Sequence, residues 1–169
     1  MKIPRIALAA YGFALLIIIV DQLTKAWVMQ ALGLRFEGQS VPVLTPILSL
    51  TLVHNEGVSF GLFGDGSARW LLSVFSVVVA GVLAWWALRA ERRLLITAIG
   101  LIMGGAIGNV IDRIRFGWVV DFLDFSGTGV FPWVFNVADS AITVGVVLLI
   151  LDSILSERAA KVGVAAEKS

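Results

Sequence analysis

Apolar residues in this chain gather into four long runs, separated by segments in which they mix with polar ones. A helix needs about 20 apolar residues to cross about 30 Å of hydrocarbon. The first run goes from Ile6 to Val28 and meets no charge before Asp21; the second, Trp70 to Leu88, lies between Arg69 and Arg89. The third, Leu94 to Ile111, is bracketed by Arg93 and by Asp112 with Arg113, and the fourth, Val134 to Leu151, is interrupted only by Asp139. The pattern predicts four transmembrane helices over residues 6–28, 70–88, 94–111 and 134–151. Lys2 and Arg5 ahead of an apolar core have the order of a cleavable secretory signal, but the stretch is long, Asp21 and Lys25 follow in the same helical run, and no small-x-small site comes after it. It is expected to remain as a span.

The connecting segments, 29–68 and 112–133, have a different period. Ile47, Leu48, Ser49, Leu50, Thr51, Leu52 and Val53 make Pro46–Val53 strand-prone, and a Gly-rich stretch from Gly57 to Gly66 follows. A second strand-like run, Phe116–Phe125, precedes Gly127 and Gly129. The expected architecture is an all-α membrane protein, one integral membrane domain over 1–169, whose four helices carry a small β-rich extracytoplasmic subdomain on the outer surface. Cations set the orientation. With four crossings, Lys2 and Arg5, then Arg89, Arg92 and Arg93, then Arg158 and Lys161 all fall on one side, so both termini are expected in the cytoplasm. Arg35, Arg69, Arg113 and Arg115 fall on the other side, and the last two need a structural role.

Composition agrees with a bilayer protein: 59% of the 169 residues are hydrophobic, 15% are charged, and mean hydropathy is +0.95. A net charge of +1 leaves no basic field to attract nucleic acid. The absence of cysteine removes disulfides, thiolate metal sites and cysteine nucleophiles, and the lone His54 removes the paired histidines of a zinc helix. No metal or other cofactor is expected.

Candidate chemistry rests on carboxylates placed where charge is costly. Asp121 stands among Val119, Val120, Phe122 and Leu123, and an unpaired carboxylate there costs on the order of a few kcal/mol. Asp139 is its natural partner, and two such groups can share one proton and activate water. Asp139 also has a structural reading: Asn136 followed three residues later by Asp139, ahead of an apolar helix, has the spacing of a helix cap. Asp21 and Lys25, spaced i, i+4, read as a helical ion pair at the outer end of the first span, with Lys25 reaching to the interface. Asn55-Glu56-Gly57 suits a tight turn with positive φ, or an Asn55 amide offered to an extended peptide. Gly100, Gly104 and Gly108 form a ridge for close helix packing, Asp112 continues that face, and Asn109 and Arg113 are spaced as a pair beside it. Arg113 is free to pair with Asp112, another carboxylate or lipid phosphate.

Five motifs taken in order, Val20–Lys25, His54–Phe60, Gly104–Arg113, Val119–Phe122 and Phe135–Ser140, closely resemble those of the bacterial lipoprotein signal peptidases, the signal peptidase II family. The resemblance implies an aspartic endopeptidase of the bacterial inner membrane that removes the signal peptide from prolipoproteins, cutting before a cysteine that carries diacylglycerol. It implies Asp121 and Asp139 as the catalytic pair, with Asn55, Asn109, Arg113 and Asn136 supporting them. Prolipoprotein substrates and membrane lipids are then the partners, with the site near the outer leaflet; the protein is expected to be a monomer. A small channel or proton-linked transporter, in which intramembrane carboxylates relay ions, is the alternative of another class; a scaffold built on the glycine ridge leaves Asp121 without a purpose.

Overall fold

Residues 4–57 and 67–167 are described by a computed structural model of the chain. Helix α1 spans Arg5–Ala26 and runs on through a π-helical turn, Trp27–Ala31. Strands β1 (Ser40–Leu44) and β2 (Leu48–Asn55) follow, then α2 (Ser67–Ala87) and α3 (Arg93–Phe116). Strand β3 (Val119–Asp124), a single 3-10 turn at Ser126–Thr128 and the short β4 (Val134–Phe135) lead into α4, Val137–Glu167. All four helices are long and apolar enough to cross a membrane.

Helix α3 is the centre of the bundle, since its most apolar window is 72% buried where those of the other three are 22% buried. The glycine ridge explains the close approach. A methyl group at Gly100 or Gly104 would stand 2.7 Å from the carbonyl oxygen of Ala10 or Ala14 in α1, so any side chain there forces the helices apart. Gly105 meets Ala138 and Ile142 of α4 on the opposite side. Side chains facing outward, such as Leu15, Phe75 and Val78, are more than half exposed, an arrangement suited to lipid and hostile to water.

The strands form an antiparallel sheet in the order β1-β2-β3-β4. Val28 and Leu34, which follow from α1, join Leu50, Leu52, Val120 and Phe122 of the sheet in a second core, seating the sheet on the end of the bundle where α1 and α3 finish and α4 begins. Strand alternation puts Val120 and Phe122 into that core and turns Asp121 to the opposite face.

Several predicted boundaries move. The third span does not stop at Asp112, because that side chain is fully buried and ion-paired; the helix continues to Phe116 and ends at Gly117, whose φ of 89° makes the left-handed cap. Val134 and Phe135 do not begin the fourth helix but pair with Asp124 and Leu123, and the helix starts after Asn136. At its other end that helix passes Leu151, since buried Asp152 is matched by Arg92 at 2.5 Å. The second predicted strand is Val119–Asp124 rather than Phe116–Phe125, the first is Leu48–Asn55 rather than Pro46–Val53, and β1 has no counterpart in the expected pattern. Apart from Gly57, the predicted Gly-rich stretch to Gly66 lies outside the described residues.

Candidate active site

The second core places β3 over the ends of α3 and α4, and this juxtaposition assembles the site. Asp121 is 2% exposed. Its Oδ1 accepts a hydrogen bond from Asn136 Nδ2 at 2.6 Å and its Oδ2 one from Asn55 Nδ2 at 2.8 Å. Asn55 reaches it because β2 pairs Val53 with Asp121, leaving Asn55 diagonal to Asp121 on the same face. The Oδ1 of Asn55 simultaneously accepts the Gly57 N–H at 2.8 Å, and Gly57 has a φ of 83°; the turn and the polar contact are one structure.

Asp139 and Asn136 form a reciprocal cap. Asn136 Oδ1 accepts the Asp139 N–H at 2.9 Å, and Asp139 Oδ2 lies 3.3 Å from the Asn136 nitrogen. The other oxygen, Oδ1, accepts from Asn109 Nδ2 at 2.8 Å. Asn136 Nδ2 also donates to Asn109 Oδ1 at 3.2 Å, so the two carboxylates are joined through two asparagines in the order Asp121, Asn136, Asn109, Asp139. At Asp139 the cap and the hydrogen-bonded link to Asp121 coincide.

Below this chain lies a buried ionic cluster. Lys25 is 2% exposed and does not reach to the interface: its Nζ is 2.8 Å from Asp21 Oδ2, 2.7 Å from Asp112 Oδ2 and 3.1 Å from Asn109 Oδ1. Inside a bundle, two carboxylates hold the ammonium more firmly than a distant interface can. Asp112 is thereby taken, and the expected Asn109–Arg113 pair does not form, since Asn109 turns to Lys25, Asn136 and Asp139. Arg113 instead lines a cleft of about 740 Å³ together with Asp121, Asn55, Gly57 and Trp133.

Burial first, and the charge of Asp139 second, push the Asp121 carboxyl up to about 7, against the hydrogen bonds from Asn55 and Asn136 and the charge of Lys25. Solvent-facing Asp124 moves the other way: hydrogen bonds from Ser126 and Thr51 hold it below the usual carboxylate range. Sequence reasoning passed over Gln22, whose Nε2 donates to Asp112 Oδ1 at 2.8 Å, and His54, which lines the cleft and stacks on Trp118 at 3.6 Å. Gln22 was detectable as one more polar residue inside an apolar span; the His54–Trp118 stack depends on strand pairing and was not.

A multi-pass membrane protein with its polar cleft at one end of the helices, lined by a buried carboxylate and a guanidinium, has the make-up of a membrane-embedded hydrolase. The family model described as signal peptidase (SPase) II matches residues 13–155. A lipoprotein signal peptidase of Caulobacter vibrioides is 53% identical over 93% of this chain and 93% of its own length, and one of Burkholderia mallei is 42% identical over 89% and 90%. A bacterial membrane enzyme solved in meso at 2.3 Å superposes with a TM-score of 0.74 at 29% identity, over 90% of each chain. The chain belongs to the signal peptidase II family and is a multi-pass peptidase of the bacterial inner membrane. A channel or transporter is thereby set aside.

Proposed function

We propose that this peptidase removes signal peptides from prolipoproteins, cutting before a diacylglyceryl-modified cysteine, and that Asp121 and Asp139 activate the attacking water. The observation that carries this reading is the hydrogen-bonded chain Asp121–Asn136–Asn109–Asp139, which joins Asp139 to the cleft-lining Asp121, with a proton retained on Asp121 up to about pH 7. With the proton kept on Asp121, Asp139 is the partner left to act as the base. Asp139 takes a proton from water as the oxygen attacks the scissile carbonyl, while the Asp121 O–H supports the developing oxyanion. The proton held by Asp139 then passes to the departing nitrogen as the C–N bond breaks, giving a carboxylic acid and an amine. Arg113 and the Asn55 amide are further donors for the oxyanion and the peptide backbone.

Asn55, Gly57, Asn109 and Asn136 support the pair, and Asp21, Lys25 and Asp112 brace it from within the bundle. The excess of Lys and Arg beyond the opposite helix ends supports cytoplasmic termini, with the sheet and cleft at the outer leaflet, where a peptide meets the cleft while its acyl chains remain in lipid. The test is incubation of purified protein with a diacylated prolipoprotein and with its unlipidated form, for wild type and Asp139→Asn. Cleavage of the lipidated substrate by wild type alone is expected; equal cleavage of both substrates would remove the lipid requirement.

A further inference from the structure

The buried cluster has a geometry that an ion pair serving stability alone does not need. Asp112 Oδ2 accepts the backbone N–H of Val120 at 3.1 Å, and Val120 immediately precedes Asp121. Asp21 Oδ1 accepts the backbone N–H of Ala138 at 3.0 Å, and Ala138 immediately precedes Asp139. Each acid therefore holds the residue next to one member of the pair, and Lys25 bridges the two acids.

The third contact of Lys25 adds orientation. An ammonium donates and cannot accept, and here it donates to Asp21 Oδ2 and to the Oδ1 of Asn109 while ion-pairing with Asp112. Only an oxygen can face Lys25, so the Asn109 amide has one orientation, with its NH2 toward Asp139. With Asn109 oriented, its oxygen also accepts from Asn136, whose NH2 is then directed at Asp121. Reversing the Asn109 amide would set an NH2 against the ammonium and a lone pair against the Asp139 carboxylate.

We infer that Lys25 is a positioning residue for the reaction: it clamps the two backbone segments that present Asp121 and Asp139 and orients the Asn109 and Asn136 amides so that each carboxylate receives an N–H. This rests on the proposed roles of Asp121 and Asp139. The charged and titratable groups around the clamp are Asp21 on α1, Asp112 and Arg113 on α3, Asp121 on β3 and Asp139 on α4, with Arg115 joined to the cluster through Gln22 Oε1 at 3.1 Å.

Lys25→Met alone leaves two buried acids without a counter-ion, so its loss of activity would be ambiguous. The deciding variant combines Lys25→Met with Asp21→Asn and Asp112→Asn, which removes the charges together while the asparagine oxygens still accept from Ala138 and Val120. Expected for that protein, folded in detergent, is a turnover reduced about 100-fold with KM changed little, the loss produced by misplacement of reacting groups. Its pH–rate profile should also be displaced from that of wild type; the shape of a profile does not depend on how much protein folds, so a low yield still gives an answer. Wild-type turnover and an unmoved profile in the neutral variant would overturn the inference, and so would failure of that variant to fold, which would make Lys25 a residue of stability only. Asp121→Asn and Asp139→Asn run alongside: if these still cleave, the aspartate mechanism fails, whatever Lys25 does.

Discussion

Replacing Asp121 with Asn should make the protein inactive yet more stable in mildly alkaline solution. Folding raises this carboxyl from 3.8 to about 7, chiefly by burial and next by the charge of Asp139. Below about pH 3.8 the group is neutral in both folded and unfolded chains, and its contribution to stability is fully present. As pH rises the unfolded chain ionises first, so stability declines between about 3.8 and 7 and levels off above 7 at a loss on the order of 4 kcal/mol. Roughly 3 kcal/mol of this develops between about pH 5 and pH 8.

The Asp121→Asn side chain does not ionise and escapes that loss, but it brings its own penalty. Both oxygens of Asp121 accept from amide NH2 groups, of Asn136 and of Asn55, so an amide there sets NH2 against NH2 on one side, at a cost of about 1–3 kcal/mol. The variant should therefore be about 1–3 kcal/mol more stable than wild type near pH 8 and no more stable near pH 5. Thermal unfolding in detergent, followed by tryptophan fluorescence at both pH values, measures the difference. The gap in Tm between variant and wild type should swing by about 6–12 °C in the variant's favour from acid to alkaline pH. A gap that stays constant would refute the reasoning, because the raised Asp121 carboxyl is its sole pH-dependent ingredient.

Cleavage by wild type should fall as pH rises through about 7, when Asp121 releases the proton that supports the oxyanion; a rate still climbing at about pH 9 would assign the acid elsewhere. Asp139→Asn should lower turnover by roughly 10²–10⁴-fold and cost about 1 kcal/mol of stability through the weakened cap, and a variant that loses stability but still cleaves would leave Asp139 a cap only. Gly104→Val should destabilise the bundle by about 2–3 kcal/mol or more, since the added carbon meets the Ala14 carbonyl at 2.7 Å; an unchanged Tm would mean that α1 and α3 can separate freely.

Much of this protein is legible in one dimension because a bilayer imposes simple demands on a chain. Hydrocarbon requires long apolar runs, so the four helices stand out in the sequence, and every acid or amide inside them becomes conspicuous by its cost. Asp21, Lys25, Asn109 and Asp139 are all visible in this way, Asp121 is visible by its apolar neighbours in a strand-like run, and the Asn136 cap is visible from its spacing. Helix ends are harder: Asp112 has the appearance of a terminus until its ion pair with Lys25, a residue of a different helix far back along the chain, is known. Partnership is harder still. That Lys25 faces inward, that Asp112 belongs to it and not to Arg113, and that Asn55 touches Asp121 all follow from the packing of α1 against α3 and the register of β2 on β3. Sequence alone determined which residues a membrane would tolerate only with a partner; the tertiary structure decided which partner each one has, because hydrogen bonds and ion pairs act over about 3 Å, a distance set by packing rather than by position in the chain.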